Sequence, residues 1–480
     1  VDLAIILAAG EGTRMRSAQA KVLHEIAGRS LIGHVLAALD HLSPKHQAIV
    51  VGAKREAVES HLKEIAPDAL LVHQEVRNGT GAAARLALDA FVVAHGSSAR
   101  TVIIMAGDTP LLTGASLRAL ESRHREMNAK ATVLTAEVFD PTGYGRIIRD
   151  GEGRISRIVE EKDCKEFEKE IDEINSGVYL FDFQALRTAL AELSTDNAQG
   201  EEYLTDVISI LQRKGEVVAA ELIQDESEII GVNDRRQLAI ATSVMRERIN
   251  DALMLSGVTI TDPLSTWIDV TVEIAPDVTL LPGTQLLGKT IVETGATIGP
   301  RSTLLDSSVG QDARVIESYV RGAVIGYQVQ VGPFSFLREG TELATGSRIG
   351  AYVEVKNSLV GEGSKVPHLS YVGDATIGKE TNIGAATVFV NYDGVEKHRT
   401  EVGDHVRIGS DTMLVAPVTI GDGAYTAAGS VITEDVPPGA MGVGRSKQSN
   451  ILDWVLRRRP NTKSAEAASK GSKRSKRAES

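Results

Sequence analysis

From about residue 270 onward, an Ile or Val followed by Gly recurs at intervals built on six: Ile325-Gly326, Val331-Gly332, Ile349-Gly350, Ile377-Gly378, Ile383-Gly384, Val402-Gly403, Ile408-Gly409 and Ile420-Gly421. Few folds keep such a rhythm. Six residues make one short strand and a turn, and three such units make one triangular coil with the aliphatic residue inward and Gly at the turn. Loops of an ordinary α/β domain cannot hold the beat over this length. The bias to Gly (45 residues) and away from aromatics (4%) agrees with turn-rich repeats. The beat also fails in places. Gly350 to Gly361 is eleven residues, Gly373 to Gly378 is five, and Gly384 to Gly403 is nineteen. Nineteen is three units plus one, which predicts a bulge containing Phe389–Lys397. Asn-Tyr-Asp-Gly is a good turn and accounts for Asp393-Gly394, but it gives no reason for Asn391 and Tyr392.

Before that point the pattern is different. Apolar runs at 3–8, His46–Val51, Leu70–His73, Thr101–Met105 and Ala131–Ala136 read as strands. Segments at 30–39, Arg55–Ile65, Gly79–Phe91 and Ser116–Met127 have helical spacing. This alternation predicts β-α-β units around a mostly parallel sheet, whose ligands sit beyond the carboxyl ends of the strands. Residues 143–179 read instead as β segments joined by turns. A helix around Arg235–Leu255 separates the two patterns. The expected domains are 1–234, a helical linker at 235–256, a coil at 257–456 and a disordered basic tail at 457–480. That tail carries nine Lys/Arg against two acids.

The first strand runs into Leu7-Ala8-Ala9-Gly10-Glu11-Gly12-Thr13-Arg14-Met15. This is neither G-x-G-x-x-G nor a Walker loop, which excludes dehydrogenase-type dinucleotide binding and Walker-type ATP hydrolysis. A loop remains whose backbone N–H groups can hold an anion, with Arg14 and Lys21 to neutralise a polyphosphate. A tight turn alone explains the glycines but not the two cations. Asp108, at the end of the strand from Thr101, can cap the next helix or hold Mg²⁺ against phosphates, and Asn233 can complete the metal shell. Gln74 can read a base edge, and Gly79-Thr80-Gly81 lets backbone approach a ligand. Gly145, Glu160 and Asn175 stand at segment ends where a sugar can be gripped. In the coil, His368 has the company of Arg338, Lys356, Tyr371 and Asn391. Acetyl transfer to an amine needs a base for the ammonium proton and donors for the thioester oxyanion.

Leu7–Met15 with Lys21-Val22-Leu23-His24 resembles the start of the sugar-1-phosphate nucleotidyltransferases. Residues 3–455 resemble the bifunctional bacterial enzymes that acetylate glucosamine-1-phosphate and then uridylylate the product. The resemblance implies an α/β Rossmann-like nucleotidyltransferase domain followed by a left-handed parallel β-helix of hexapeptide repeats, serving cell-wall precursor synthesis. It implies nucleotide contacts at Leu7, Gly10, Gln74, Gly79 and Thr80, catalytic Arg14 and Lys21, a metal pair Asp108 and Asn233, and sugar contacts at Gly145, Glu160, Asn175 and Asn233. In the coil it implies His368 as base and Arg338, Lys356, Tyr371 and Lys397 on the acceptor. Asn391, Tyr392, Ser410, Ala428 and Arg445 would line the acetyl-CoA cleft. It further implies Mg²⁺, UTP and acetyl-CoA as cofactor and co-substrates, and a homotrimer with acetyl-CoA bound between subunits. The chain departs from the family pattern at Ala20, Asn78, Ala82, Glu339, Val366-Pro367 and Ala386.

One cysteine, Cys164, excludes a disulfide framework and Cys-cluster metal sites, and fits a reducing cytoplasm. No apolar run is long enough for a membrane span, and the apolar start lacks the basic flank of a signal peptide. The net charge of −12 and an isolated basic tail argue against a specific nucleic-acid partner. A nucleotidyltransferase whose coil only oligomerises or regulates remains the alternative, as does, more distantly, a coil scaffold with a degenerate first domain. The first accounts for 1–234 and ignores His368, Asn391 and Tyr392; the second ignores Arg14, Lys21, Asp108 and Asn233.

Overall fold

Leu3–Ala8 is the hub of the first architecture. Its run LAIILA is almost wholly buried, as a strand covered on both faces requires. It pairs in parallel with His46–Val51 on one side and Thr101–Ala106 on the other. The sheet order is 218–223, 131–137, 173–182, 101–106, 3–8, 46–51, 70–73. The chain therefore leaves the hub strand toward one edge and later returns to its other side, which makes a topological switch point above Ala8. Glu173–Asp182 is the exception to a parallel sheet: it runs antiparallel to both neighbours and carries the hairpin of Arg146–Arg149 and Ile155–Val159. Helices Leu31–Leu39, Thr80–His95 and Gly114–Glu126 cover the faces of the sheet, which pack into two apolar layers. The computed structural model describes residues 1–52 and 55–478; the last two residues of the basic tail lie outside them.

Arg235–Leu255 is one helix, capped by the Asp234 carboxylate accepting from the N–H groups of Arg236 and Gln237. The coil starts at Thr259–Ile260, before the first Ile/Val-Gly pair. Leu280, Leu286, Val292, Ile298 and Leu304 recur every six residues and are all buried, so the beat is carried here by aliphatic residues without the paired glycine. Small hydroxylated residues fill the corners. Thr284 Oγ1, for example, donates to Leu281 O (2.7 Å) and reaches the next turn at Ile298 O (3.2 Å).

Compactness divides the chain later than the change of architecture, into Val1–Glu339 and Gly340–Ser480. Within the first unit the earliest turns of the coil pack on the α/β part. Val270 N donates to Ala27 O (3.0 Å), and a Cβ at Gly28 would meet the Asp269 carboxylate at 2.5 Å.

In the second unit one turn of the coil is commonly seventeen residues: Glu354 pairs with Tyr371 and Lys365 with Asn382. Thr376, however, pairs with Glu401 and Asn382 with Arg407, a turn of twenty-five. The excess is a hairpin excursion closed by a Tyr392–Lys397 bridge and by His398 N donating to Asn391 O (2.8 Å). The bulge lies where the spacing predicts but is larger. Gly384 and Gly403 follow strands two faces apart, not three, so nineteen residues minus twelve leaves seven extra residues and not one. Lys463–Ala478 is a helix, which corrects the expectation of a disordered tail; Ala and Lys are strong helix formers, and their local propensity outweighs the lack of an apolar run.

Candidate active sites

The carboxyl ends of Leu3–Ala8, Leu70–His73 and Thr101–Ala106 open into a cleft of about 420 Å³. Gly12 has φ +61°, and a Cβ there would meet Lys21 Cβ at 2.6 Å, so the loop turns back only because residue 12 lacks a side chain. This close approach brings Lys21 to Asp108. The Lys21 ammonium donates to Asp108 Oδ2 and to Asn233 Oδ1 (3.3 Å), with both ends of the ion pair largely buried. Asp108 and Asn233 are 125 residues apart in the chain, and Val232 N donating to Asp108 O (2.9 Å) ties the segment before the helix Arg235–Leu255 to the end of the strand Thr101–Ala106. Two hard oxygens on one small cation fit the donor set that Mg²⁺ prefers. Among the described residues no group of three or more His, Cys, Asp or Glu converges, so phosphate oxygens would have to supply the remaining ligands.

Leu7, Gly10, Gln74, Gly79 and Thr80 all line this cleft. Gln74 Nε2 donates to Gly79 O (3.3 Å). Gly79 has φ +103°, and a Cβ there would meet Glu202 O at 2.3 Å. Gly79→Ala is therefore expected to combine a strained backbone with a clash. It should cost about 1–3 kcal/mol, read as a lower melting temperature, together with a raised KM for the nucleotide. An unchanged melt and KM would refute this account of the turn.

Glu160 and Asn175 line the cleft, and Gly145 stands behind them. Burial pushes the Glu160 carboxyl above the ordinary range, partly offset by the Thr205 hydroxyl, which donates to its Oε1 (3.0 Å). Asn175 Nδ2 donates to Tyr179 Oη (2.6 Å). Arg14 is not among the cleft-lining residues: it is exposed on the short turn Thr13–Met15. Sequence reasoning assigned no role to Arg77, Tyr179, Glu201 or Thr205, which also line the cleft. Glu201 and Thr205 lie in the polar run Asn197–Asp206, and Arg77 lies between Gln74 and Gly79.

In the second unit a different cluster forms. Asp374 is buried and accepts from Asn357 Nδ2 (2.6 Å), Asn391 Nδ2 and Lys356 Nζ (3.5 Å). Burial pushes this carboxyl up, but those three donors outweigh it and leave the group below its ordinary range. Asn391 Nδ2 also reaches Tyr371 Oη (3.5 Å). Asp374 thus gathers two expected site residues, Lys356 and Asn391, and through Asn391 a third, Tyr371; the sequence reading missed it because an Asp after Gly reads as a turn. His368 is exposed at the end of Lys365–His368, where its carbonyl accepts from Ser370 Oγ (2.7 Å) and Ala386 N (3.2 Å). Pro367 is accommodated because Val366 is already extended in that strand. Ala386 has φ +60°, a left-handed conformation that favours Gly. Tyr392, Lys397, Ser410, Ala428 and Arg445 are exposed. Arg338 belongs to the first unit, its guanidinium 5.8 Å from the centre of the Phe336 ring.

Residues 3–271 match the nucleotidyl transferase family, and residues 399–434 match the bacterial transferase hexapeptide family of six repeats. A protein named bifunctional protein GlmU from Streptomyces coelicolor is 55% identical over 97% of this chain and 96% of its own length. Those of Thermobifida fusca (53%, over 98% and 97%) and Corynebacterium glutamicum (50%, over 97% and 96%) are similar along the same span. The chain belongs to the bifunctional GlmU family. Membership joins the two clusters to two architectures that run through nearly the whole length of these relatives, and it decides against a degenerate first domain. Among the described residues no helix is long and apolar enough to cross a membrane.

Proposed function

We propose that the chain acetylates glucosamine-1-phosphate with acetyl-CoA and then transfers uridylyl from UTP to the product, giving UDP-N-acetylglucosamine and pyrophosphate. The convergence of Lys21, Asp108 and Asn233 above a cleft shared by Gln74, Glu160 and Asn175 carries the second half of this reading. A sugar phosphate oxygen forms a bond to the α-phosphorus while the bond to the β-phosphate oxygen breaks. Little covalent work falls to the protein; positioning and charge stabilisation dominate. Asp108 and Asn233 would hold Mg²⁺, which when bound neutralises phosphate charge as a Lewis acid. Lys21 and the loop N–H groups from Gly10 onward bind phosphate oxygens, with Arg14 reaching the same charge from the exposed side. Gln74 holds the base, Gly79 and Thr80 the nucleoside, and Gly145, Glu160 and Asn175 the N-acetylated sugar.

In the coil, His368 takes a proton from the attacking amine, the C–N bond forms and the thioester C–S bond breaks, releasing the CoA thiol. Lys356, Tyr371 and Lys397 hold the sugar phosphate. Ser410, Ala428 and Arg445, exposed in the single chain, fit an acetyl-CoA cleft completed by a second copy, and so a homotrimer. The functional domains follow the architecture, 1–234 and 257–456, with the helix 235–256 between them. The co-substrates, nucleoside triphosphate and acetyl-CoA, and the single cysteine support a cytoplasmic setting for both reactions.

The deciding assay supplies the full chain with glucosamine-1-phosphate, acetyl-CoA and UTP or dTTP in parallel. UDP-N-acetylglucosamine is expected only when acetyl-CoA and UTP are both present. Product from N-acetylglucosamine-1-phosphate but none from glucosamine-1-phosphate with acetyl-CoA would return the chain to the single-function alternative.

A further inference from the structure

Arg146 is the largest fully buried side chain of the protein, and neither reaction uses it. Its Nη2 forms an ion pair with Glu161 Oε2 at 2.8 Å that lacks hydrogen-bond geometry, its Nη1 donates to Tyr144 O, and its Nε and Glu161 Oε2 have no hydrogen-bond partner among the described residues. In the sheet, Arg146 is opposite Val159 on one side and Ile174 on the other. The residue before it is Gly145, the one after Val159 is Glu160, and the one after Ile174 is Asn175. Asn175 N donates to Gly145 O (2.8 Å). A Cβ at Gly145 would lie 3.6 Å from Asn175 Cβ and 3.6 Å from a Glu160 carboxylate oxygen. All three sugar contacts are thus chain neighbours of residues tied to Arg146, Tyr144 and Glu161 through its guanidinium and Val159 and Ile174 through the register of the sheet.

We infer that the Arg146–Glu161 ion pair is the positioning element of the sugar subsite, setting affinity for the N-acetylated sugar phosphate and leaving the nucleotide subsite alone. This rests on the reading of Gly145, Glu160 and Asn175 as sugar contacts. A buried ion pair is a poor source of net stability, since an apolar pair of similar volume commonly does as well or better. What an apolar pair cannot do is pin two backbone segments by direction. Arg146 draws the Tyr144 carbonyl inward, which aims the Gly145 peptide. Through Glu161 it also fixes the turn Glu161–Asp163, which sets where Glu160 stands at the cleft wall. The Thr205 hydroxyl then fixes the Glu160 carboxylate from the other side. No residue that ties Gln74 or Gly79 in place touches Arg146, so the nucleotide subsite should not feel its loss.

The test uses the full chain with Glu161→Gln, Arg146→Lys and the double variant R146M/E161M, measuring KM separately for N-acetylglucosamine-1-phosphate and UTP, along with the melting temperature and the acetyl-transfer rate. Glu161→Gln and the double variant are expected to raise the sugar KM about tenfold or more while the UTP KM stays within about twofold. Arg146→Lys, which keeps charge but loses the two-pronged geometry, should fall between these and wild type. Acetyl transfer, carried by the second unit, reports that the chain is intact, and Glu161→Gln answers the question even where the double variant fails to fold. A folded variant with a wild-type sugar KM, or a UTP KM that rises equally, overturns the inference. Glu160→Ala and Asn175→Ala separate the two failures. If these leave the sugar KM unchanged, the sugar-contact reading is wrong. If they raise it and the ion-pair variants do not, only the positioning role falls.

Discussion

Asp108→Ala is expected to lower the uridylyl-transfer rate by about a thousandfold or more, some 4 kcal/mol of barrier, while acetyl transfer by the same preparation stays at its wild-type rate. The expectation follows from what the carboxylate does in the cleft. It is the carboxylate that faces the Lys21 ammonium, and with Asn233 it supplies the two oxygens on which a divalent cation would sit. Removing it strips the metal of its one charged protein ligand and frees Lys21 from the strand end that positions it. Four or more phosphate charges meet in this reaction, so the loss falls on the transition state rather than on folding. Asp108→Asn keeps the shape and one oxygen and should recover part of the rate at raised metal concentration. The assay is uridylyl transfer to N-acetylglucosamine-1-phosphate with acetyl transfer measured in parallel. A rate within about threefold of wild type, under 1 kcal/mol, would sink the assignment.

How much of this was legible in the sequence depends on whether the signal was local. Strand ends and helix starts in the first 140 residues follow apolar runs and turn residues. His46–Val51, Arg55–Ile65 and Leu70–His73 have the same bounds in the structure as in the sequence reading. The antiparallel course of Glu173–Asp182 was not legible, because strand direction is set by pairing across distant segments. The coil was legible through its glycines but began earlier than they did: Leu280 and Leu286 keep the beat, and only a search for inward aliphatics every six residues would have found them.

The gaps in the beat were less informative than their count suggested. Turns of seventeen residues occur before the second unit as well, as in Tyr319 pairing with Phe336, so the intervals of five and eleven are ordinary turns short by one residue. Only the interval of nineteen marks an excursion. For the same reason Asp374 escaped notice. It sits in an ordinary-looking turn and becomes the centre of a polar cluster only once Asn357, Lys356 and Asn391 are stacked on successive turns of the coil. Arg14 is the converse case: the motif identified it, and the geometry leaves it outside the cleft lining.

His368→Ala is expected to lower acetyl transfer by about a hundredfold to ten-thousandfold, the usual contribution of a positioned general base, and to leave uridylyl transfer to supplied N-acetylglucosamine-1-phosphate unchanged. The backbone prepares the side chain for this role. The His368 carbonyl is held by both Ser370 Oγ and Ala386 N, and Pro367 stiffens the residue before it, so the imidazole leaves a fixed strand end and is presented on the surface of the coil. Little more than one turn of the coil beyond it, the hairpin excursion at 391–398 rises from the same unit and carries Asn391 and Tyr392. Truncation to Ala removes the proton acceptor without disturbing a buried contact, because the ring is exposed and the strand is held by its main chain. The melting temperature should therefore stay with wild type while the rate collapses. Acetyl transfer retained within about threefold would remove His368 from the role of base. Attention would then pass to the polar cluster around Asp374 as the source of acceptor activation.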